Sequence, residues 1–156
     1  MNGTPRVGIG YDSHRFAEGR RLVLGGVEIE HELGLAGHSD ADALTHAVID
    51  AVLGAAGLGD LGSHFPPAEE RWRDADSLDL LRTAVGLIGG RVSNVDATII
   101  CDAPRLAAHH AQMERNLAEV LSAPVSVKAT SNDGMGFIGR GEGIACLAVV
   151  LIDTGE

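Results

Sequence analysis

Residues 38–50 read HSDADALTHAVID, and this stretch predicts a loop that enters a helix. Ser39 is the predicted N-cap, because its hydroxyl can accept a hydrogen bond from a backbone N–H that lacks a helical partner. Asp42 lies three residues later, where a carboxylate can reach back to the cap and meet the positive end of the helix. The apolar residues that follow recur at helical spacing and predict one buried face: Leu44, Ala47, Val48, Ala51, Val52 and Ala55.

A polar line lies on the other side of this predicted helix. Asp42, His46 and Asp50 are spaced four residues apart, which places them on one face. Ile49 and Leu53 flank the line, so we expect it to be partly buried. A buried acid and imidazole need polar partners, which a metal ion or a substrate would provide. The alternative is a solvated helix face that carries one incidental histidine.

Residues 6–16 predict the first strand. Asp12 and His14 are two positions apart, so both side chains point to the same face of an extended segment. With His46 they offer two imidazoles and one carboxylate, a ligand set that suits zinc with an open fourth position. Such an ion could act as a Lewis acid on an oxygen bound there. Taken alone, an Asp-x-His pair more often belongs to a turn or to the surface.

Composition narrows the classes of function. The 156 residues predict one domain, residues 1–156, that is long enough to bury its own core. The formal net charge of −10 argues against nucleic acid and acidic membrane surfaces as partners. A phosphorylated substrate would therefore need local cations or helix N-termini.

Neither a membrane span nor a targeting peptide is predicted. No apolar run approaches the length of a transmembrane helix, and the first predicted strand begins within a few residues of Met1. Cys101 and Cys146 lie in apolar runs typical of buried strands, so we expect free thiols in a reducing compartment. The predicted location is the cytoplasm.

The element pattern predicts an α/β (α+β) domain with helices packed on one face of a mixed β-sheet, plus a β-hairpin. Residues 22–29 predict that hairpin, because Gly25 and Gly26 lie in its middle. The segment 54–67 is too rich in glycine to continue the first helix and is interpreted as a mobile loop over the site.

Helices and strands alternate in the second half of the chain. The predicted elements are, in order, a helix over 77–88, a strand over 92–102, a helix that extends to 121, and strands over 125–131 and 143–153. The first of these helices is predicted to bury Leu78, Leu81, Val85 and Ile88. Pro104 is placed in the first turn of the next helix.

Residues 134–139 match the glycine pattern of dinucleotide-binding folds. Another strand follows instead of a helix, and the acidic partner would fall at Asp153, so this interpretation is rejected. The segment is interpreted as a glycine-rich turn whose backbone N–H groups could bind phosphate. Arg140 supplies a nearby cation, with Glu142 as its expected ion-pair partner.

Four segments together resemble the family of 2-C-methyl-D-erythritol 2,4-cyclodiphosphate synthases, which act in the non-mevalonate (MEP) pathway to isoprenoids. They are GYDSH at 10–14, HSDADALTH at 38–46, GAAGLGDLG at 54–62 and KATSNDGMGFIGRGEG at 128–143. Each segment is weak by itself, but their order and spacing over nearly the whole chain are specific.

The resemblance implies metals. Asp12, His14 and His46 match the family's ligands for zinc or another divalent transition metal. Asp133 matches a ligand to magnesium or manganese on the diphosphate, where the family often has glutamate. The shorter side chain of Asp133 would change the metal distance or admit a water.

Catalytic and substrate-binding residues are implied in the same way. His38 would stabilise the transition state, and Ser131 stands where the family commonly has a catalytic threonine. The implied substrate-binding residues are Ser39, Asp60, Leu61, Gly62, Phe65, Ala103, Pro104, Arg105, Leu106, Thr130, Phe137 and Arg140. Residues 103–106 match the cytidine-binding segment, and residues 67–69 depart from the family's usual Asp-Thr-Asp.

The implied reaction is a cyclisation that releases CMP, catalysed by a phosphorus–oxygen lyase. The family forms homotrimers with active sites between neighbouring subunits, and an axial cavity near Arg140 and Glu142 can hold an isoprenoid diphosphate. Two alternatives remain open. One is a zinc hydrolase with Asp40 or Asp42 as general base, and the other is a nucleotide-sensing module with a structural metal.

Overall fold

A computed structural model describes residues 3–155 of the chain. The strands are β1 (Thr4–Ala17), β2 (Leu22–Leu24), β3 (Val27–Ile29), β4 (Gly34–Leu35), β5 (Gly90–Ile100), β6 (Val125–Thr130) and β7 (Gly143–Thr154). The helices are α1 (Ala43–Ala55), α2 (Leu61–His64), α3 (Ser77–Leu87), α4 (His110–Leu121) and α5 (Gly136–Gly139). Short 3-10 turns lie at Glu70–Trp72 and Ala107–His109.

Five strands form a mixed sheet in the order β4-β1-β7-β5-β6. The β5–β6 pair is parallel, and the other pairs are antiparallel. Strands β2 and β3 form a separate hairpin. Helix α1 packs on β1 and β7, α3 packs on α1, and α4 packs on β6. The predicted single α+β domain, with a mixed sheet and a hairpin, is confirmed.

Two glycines of β1 bring the central helix directly onto the sheet. A Cβ at Gly10 would lie 1.8 Å from the carbonyl oxygen of Ala47, and one at Gly8 would lie 1.9 Å from that of Ala51. Only a residue without a side chain permits this approach of helix to strand. Because α3 covers the other side of α1, Ile49 is fully buried as well. The buried surface of α1 is therefore wider than the single predicted face.

The predicted N-cap of α1 is wrong. The helix begins at Ala43, and the cap is Asp42, whose carboxylate accepts from the backbone N of Thr45 at 3.0 Å. The same carboxylate accepts from the backbone N–H groups of Gly25 and Gly26, each at 2.8 Å. Burial and the neighbouring charge of Asp40 raise the pKa of Asp42, against these hydrogen bonds, which lower it. Asp42 thus joins the start of α1 to the hairpin turn.

Three further predictions need correction. Helix α1 continues to Ala55, and the segment interpreted as a loop contains the short helix α2, capped by Asp60. Pro104 lies in a bend ahead of the 3-10 turn and outside any helix, and α4 begins six residues later, at His110. The fixed φ of proline suits a bend as well as it suits a helix start.

The predicted core face of α3 is largely confirmed. Leu81 and Ile88 are buried, and Leu78 and Val85 are half-buried and pack against the core. The buried face is wider than predicted, because Ser77, Leu80 and Ala84 are buried as well where α3 contacts both α1 and α4.

Cys101 and Cys146 are both buried free cysteines, as predicted. Burial raises the pKa of both thiols, which keeps them protonated and unreactive. In the part of the chain that the structure describes, every helix is too short or too polar to cross a membrane.

Candidate active site

The three predicted zinc ligands lie together at the end of β1 and the start of α1. Asp12 Oδ2 is 2.7 Å from His14 Nε2 and 3.1 Å from His46 Nδ1. The two imidazole nitrogens are 3.3 Å apart. Among residues 3–155, these three side chains form one group that could hold a metal ion, with one ligand atom from each.

The orientation of His14 shows what the group needs. Its Nδ1 is 2.7 Å from the carbonyl oxygen of Ala36, which can only accept, so Nδ1 donates its hydrogen there. In the neutral imidazole, Nε2 then presents a lone pair to Asp12 Oδ2, which also carries lone pairs. These atoms are favourable neighbours only when a proton or a metal cation lies between them.

The pKa shifts of Asp12 and His14 agree with the need for a proton or a cation between these atoms. Burial raises the pKa of Asp12, but the hydrogen bonds and the charges of His14 and His46 together outweigh burial, and the net shift of the pKa is downward. Burial lowers the pKa of His14, but the hydrogen bond and charge of Asp12 raise it by more. The ligand set of one carboxylate and two imidazoles fits a divalent transition metal with a free coordination position.

The loop that carries His38 and Ser39 is held by Arg20. The guanidinium donates to the carbonyl oxygens of Leu35, Gly37 and Ser39 at 3.0, 3.1 and 2.9 Å. His38 is half-buried, and its Nε2 lies 3.4 Å from the carbonyl oxygen of Glu69, at the limit of a hydrogen bond. Sequence reasoning missed Arg20, since nothing in the turn after β1 indicates which carbonyls it reaches.

Helix α2 places Asp60, Leu61 and Gly62 beside α1. Asp50 accepts a hydrogen bond from the backbone N of Leu61 at 2.7 Å, so the last member of the polar line positions this segment. Hydrogen bonds from Ser63 lower the pKa of Asp60. Asp50 was placed on the polar line by its spacing, but its role was missed.

The segment after α2 is anchored by an aromatic pair. Phe65 is buried and meets Trp72 edge to face, with ring centroids 5.0 Å apart. Glu69, in the segment that departs from the family pattern, forms an ion pair with Arg71 at 2.6 Å.

The other predicted residues lie at the same end of the sheet as the metal ligands, but on strands farther across it. Ser13 of β1 pairs with Ala145 of β7, Ala145 pairs with Ile100 of β5, and Ile100 pairs with Thr130 of β6. Thr130 is thus three strand spacings from the metal ligands, about 14 Å. The structure does not bring these two groups into contact within one chain.

This second group is mostly exposed. Its exposed members are Ala103, Arg105, Thr130, Ser131, Asp133, Phe137 and Arg140. Pro104 is half-buried, and Leu106 packs in the core with 3% of its surface exposed. The predicted Arg140–Glu142 ion pair is present at 2.8 Å. The glycine-rich turn contains the four-residue helix α5, which was not predicted.

The structure does not favour a zinc hydrolase that uses Asp40 or Asp42 as general base. Asp40 accepts from the backbone N and the hydroxyl of Ser77. Asp42 accepts from four donors and is fully buried. Both carboxylates are engaged in holding the loop and the helix start.

Comparison with known proteins gives one consistent result. The sequence profile of the YgbB family matches residues 5–153. A 2-C-methyl-D-erythritol 2,4-cyclodiphosphate synthase from Syntrophomonas wolfei is 57% identical over 154 residues, which is 95% of this chain and 98% of that protein.

Solved structures agree in fold. The bifunctional IspDF of Campylobacter jejuni superposes with a TM-score of 0.92 at 39% identity, over 99% of this chain and 43% of that one. The CDP complex of IspF from Plasmodium falciparum superposes with a TM-score of 0.83 at 32% identity, over 100% of this chain and 99% of that one. The chain belongs to the YgbB family of 2-C-methyl-D-erythritol 2,4-cyclodiphosphate synthases.

Proposed function

We propose that residues 1–156 form one cyclodiphosphate synthase domain, a phosphorus–oxygen lyase. It would convert 4-diphosphocytidyl-2-C-methyl-D-erythritol 2-phosphate to 2-C-methyl-D-erythritol 2,4-cyclodiphosphate and CMP. The observation that carries the proposal is the convergence of Asp12, His14 and His46 at one end of the sheet. The glycine-rich turn lies at the same end. The choice of this substrate rests on membership of the family.

The reaction is an intramolecular attack of the 2-phosphate on the β-phosphorus, with CMP as leaving group. The chain's main task is therefore to fold the substrate into an in-line pose, which can supply much of the rate gain. His38 and Ser131 would donate hydrogen bonds to phosphoryl oxygens where negative charge builds. A protein nucleophile is not required, which agrees with two buried cysteines.

Two metals are part of the proposal. Asp12, His14 and His46 would hold zinc or another divalent transition metal, which would act as a Lewis acid on a phosphoryl oxygen. Asp133, at an exposed turn after β6, would hold magnesium or manganese on the diphosphate. These cations would also allow a protein of net charge −10 to bind a strongly anionic substrate.

The remaining contacts follow the family pattern. Ser39 would bind phosphate, and residues 60–62 with Phe65 would hold the methylerythritol part. Residues 103–106 and Thr130 would bind cytidine, in line with the CDP bound by the Plasmodium falciparum relative. Phe137 and Arg140 lie on the glycine-rich turn beside this group.

A homotrimer with sites between subunits is the assembly we propose. The face of the sheet opposite the helices exposes an apolar stripe formed by Val7, Ile9, Tyr11, Leu147 and Val149. Contiguous apolar surface of this kind marks protein interfaces. Pairing of subunits would also join the metal ligands of one chain to the cytidine-binding group of the next, and would place Arg140 and Glu142 near the axis and its isoprenoid diphosphate cavity.

Phosphorus NMR of the purified protein with the cytidine diphosphate substrate and magnesium tests this function. We expect a cyclic diphosphate and CMP, which a His46→Ala variant does not form. A linear hydrolysis product would favour the zinc hydrolase, and unchanged substrate with zinc-loaded protein would favour the sensor. The cytoplasmic location stays a prediction that rests on the free, buried cysteines.

A further inference from the structure

The nitrogen of His46 that faces away from the metal site has its own hydrogen-bond chain. Nε2 lies 2.8 Å from the hydroxyl of Ser77 and 3.1 Å from that of Ser39. Ser77 is the first residue of α3 and is fully buried. Its hydroxyl contacts Asp40 Oδ1, and its backbone N donates to Asp40 Oδ2 at 2.9 Å.

The direction of these hydrogen bonds follows from the groups present. An ionised Asp40 can only accept, so the single hydroxyl hydrogen of Ser77 goes to that carboxylate. The oxygen of Ser77 is then an acceptor for His46 Nε2–H. With the hydrogen on Nε2, a neutral His46 presents the lone pair of Nδ1 toward Asp12 and His14.

We propose that Ser77 and Asp40 are positioning residues that fix the tautomer and ring orientation of His46 for metal binding. The inference rests on the metal site in the proposed function and extends it to two residues outside the ligand set. Hydrogen-bond partners of metal-bound imidazoles raise ligand basicity, and their loss typically costs 10- to 100-fold in affinity.

The hydrogen bonds around His46 Nε2 also determine what the hydroxyl of Ser39 can do. Its oxygen already accepts from the backbone N of Ala41 at 3.3 Å, and it can share the Nε2–H of His46. Both of these contacts use lone pairs. The hydroxyl hydrogen of Ser39 therefore stays available for a phosphate oxygen, while Ser77 holds the imidazole.

The test is zinc affinity of the full chain, measured by competition with a chromophoric chelator, on Ser77→Ala and Asp40→Asn. We expect each variant to bind zinc about 10- to 100-fold more weakly than the unmodified chain. Cobalt-loaded protein should show a changed visible absorption band, since the His46 ligand is no longer fixed. Thr83→Ala and Asp79→Asn, which alter exposed groups on the same helix, are the matched controls and should bind zinc normally.

The outcomes separate positioning from a purely structural role. If both variants keep the affinity and cobalt spectrum of the unmodified chain and lose only thermal stability, the inference is overturned. Asp40→Asn preserves shape and provides the answer if Ser77→Ala does not fold. Failure of the unmodified chain to bind zinc overturns the inference too. Zinc binding without cyclisation would contradict the proposed function alone, and the variants would still decide the inference.

Discussion

The two ends of the candidate site differ in how much of their geometry one chain supplies. At the metal end, His46 is 7% exposed and contacts Asp12, His14 and Ser77, and each partner is held by another hydrogen bond. At the other end, Ser131 and its neighbours in the turn after β6 are exposed, with few contacts outside their own turn.

This difference indicates which part of the site a single chain can form and which part needs another subunit. Buried ligands fixed by surrounding contacts are preorganised and can bind a cation in a single subunit. Exposed segments with few contacts are less constrained, and a substrate or another subunit that covers them would hold them more firmly. The proposed metal end should therefore depend on the core of the chain, and the proposed cytidine-binding end on assembly.

The largest expected effect is at the metal end. His46→Ala removes one of three ligands and leaves a buried space, so we expect no measurable zinc binding and activity lower by about 10³-fold or more. Zinc content after dialysis and the phosphorus NMR assay measure both. His109→Ala, in the 3-10 turn before α4 and outside the metal-ligand group, is the control; equal loss in that variant would contradict a specific role for His46.

The next effect tests the backbone that supports the metal end. Gly10→Ala places a Cβ against the backbone of α1, so helix and strand must separate. Overpacking of this kind costs about 1–3 kcal/mol or more of unfolding free energy, and zinc binding should weaken with it.

Urea denaturation of the metal-free protein measures this cost. Gly86→Ala is the matched control, since nothing lies within 4 Å of its added Cβ, and it should stabilise α3 by about 0.5–1 kcal/mol. An unchanged unfolding free energy in Gly10→Ala would show that the contact of α1 with β1 can relax.

A charge on the apolar stripe should affect the two ends of the site differently. Ile9 is 68% exposed, so Ile9→Glu costs little in the single chain but opposes subunit pairing. We expect monomers by analytical ultracentrifugation, retained zinc and strongly reduced cyclisation. Thr83→Glu, on the opposite side of the sheet, should change none of these, and a trimeric, active Ile9→Glu would refute the proposed interface.

A smaller effect is expected at the cytidine-binding end. Ser131→Ala removes one hydroxyl donor and should lower the cyclisation rate by about 10²-fold without a change in zinc content. Ser131→Thr keeps the hydroxyl and should stay near the unmodified rate. Loss of zinc in Ser131→Ala would show that the two ends are coupled within one chain.

The smallest effect is a pH dependence of metal affinity. The pKa of His14 is raised above 6.5, and a metal must displace that proton. Zinc affinity should therefore fall as pH decreases through this raised pKa, with the decline beginning above pH 6.5, by up to about tenfold per pH unit. Chelator competition between pH 5.5 and 8 measures it.

The contribution of His14 to the stability of the metal-free protein should decrease as pH rises, whereas zinc affinity increases. A raised histidine pKa contributes stability that is complete below pH 6.5 and is lost as pH rises through the folded-state pKa. The lowered pKa of Asp12 contributes stability above 3.8 that is lost in acid. A melting temperature of the metal-free protein that rises from pH 6 to 8 would contradict the contribution of His14.

Local sequence pattern determined much of the metal end. Alternation along a strand placed Asp12 and His14 on one face, and helical spacing placed His46 and Asp50 on one face of α1, although Asp42, the third member of that predicted line, lies outside the helix as its N-cap. These periods follow from backbone geometry alone, so they survive whatever packs around the element. The hairpin was also predicted correctly from its glycine pair, and the buried cysteines from their apolar runs, whereas the short helices α2 and α5 were not predicted.

Tertiary structure decided which groups complete that pattern. Asp42 rather than Ser39 caps α1, because the hairpin turn presents two further N–H groups to its carboxylate. Ser77 reaches His46 across 31 residues of sequence, and the two ends of the site are kept apart by the strand order. Contacts between distant segments depend on how helices and strands pack, and no local period encodes that packing.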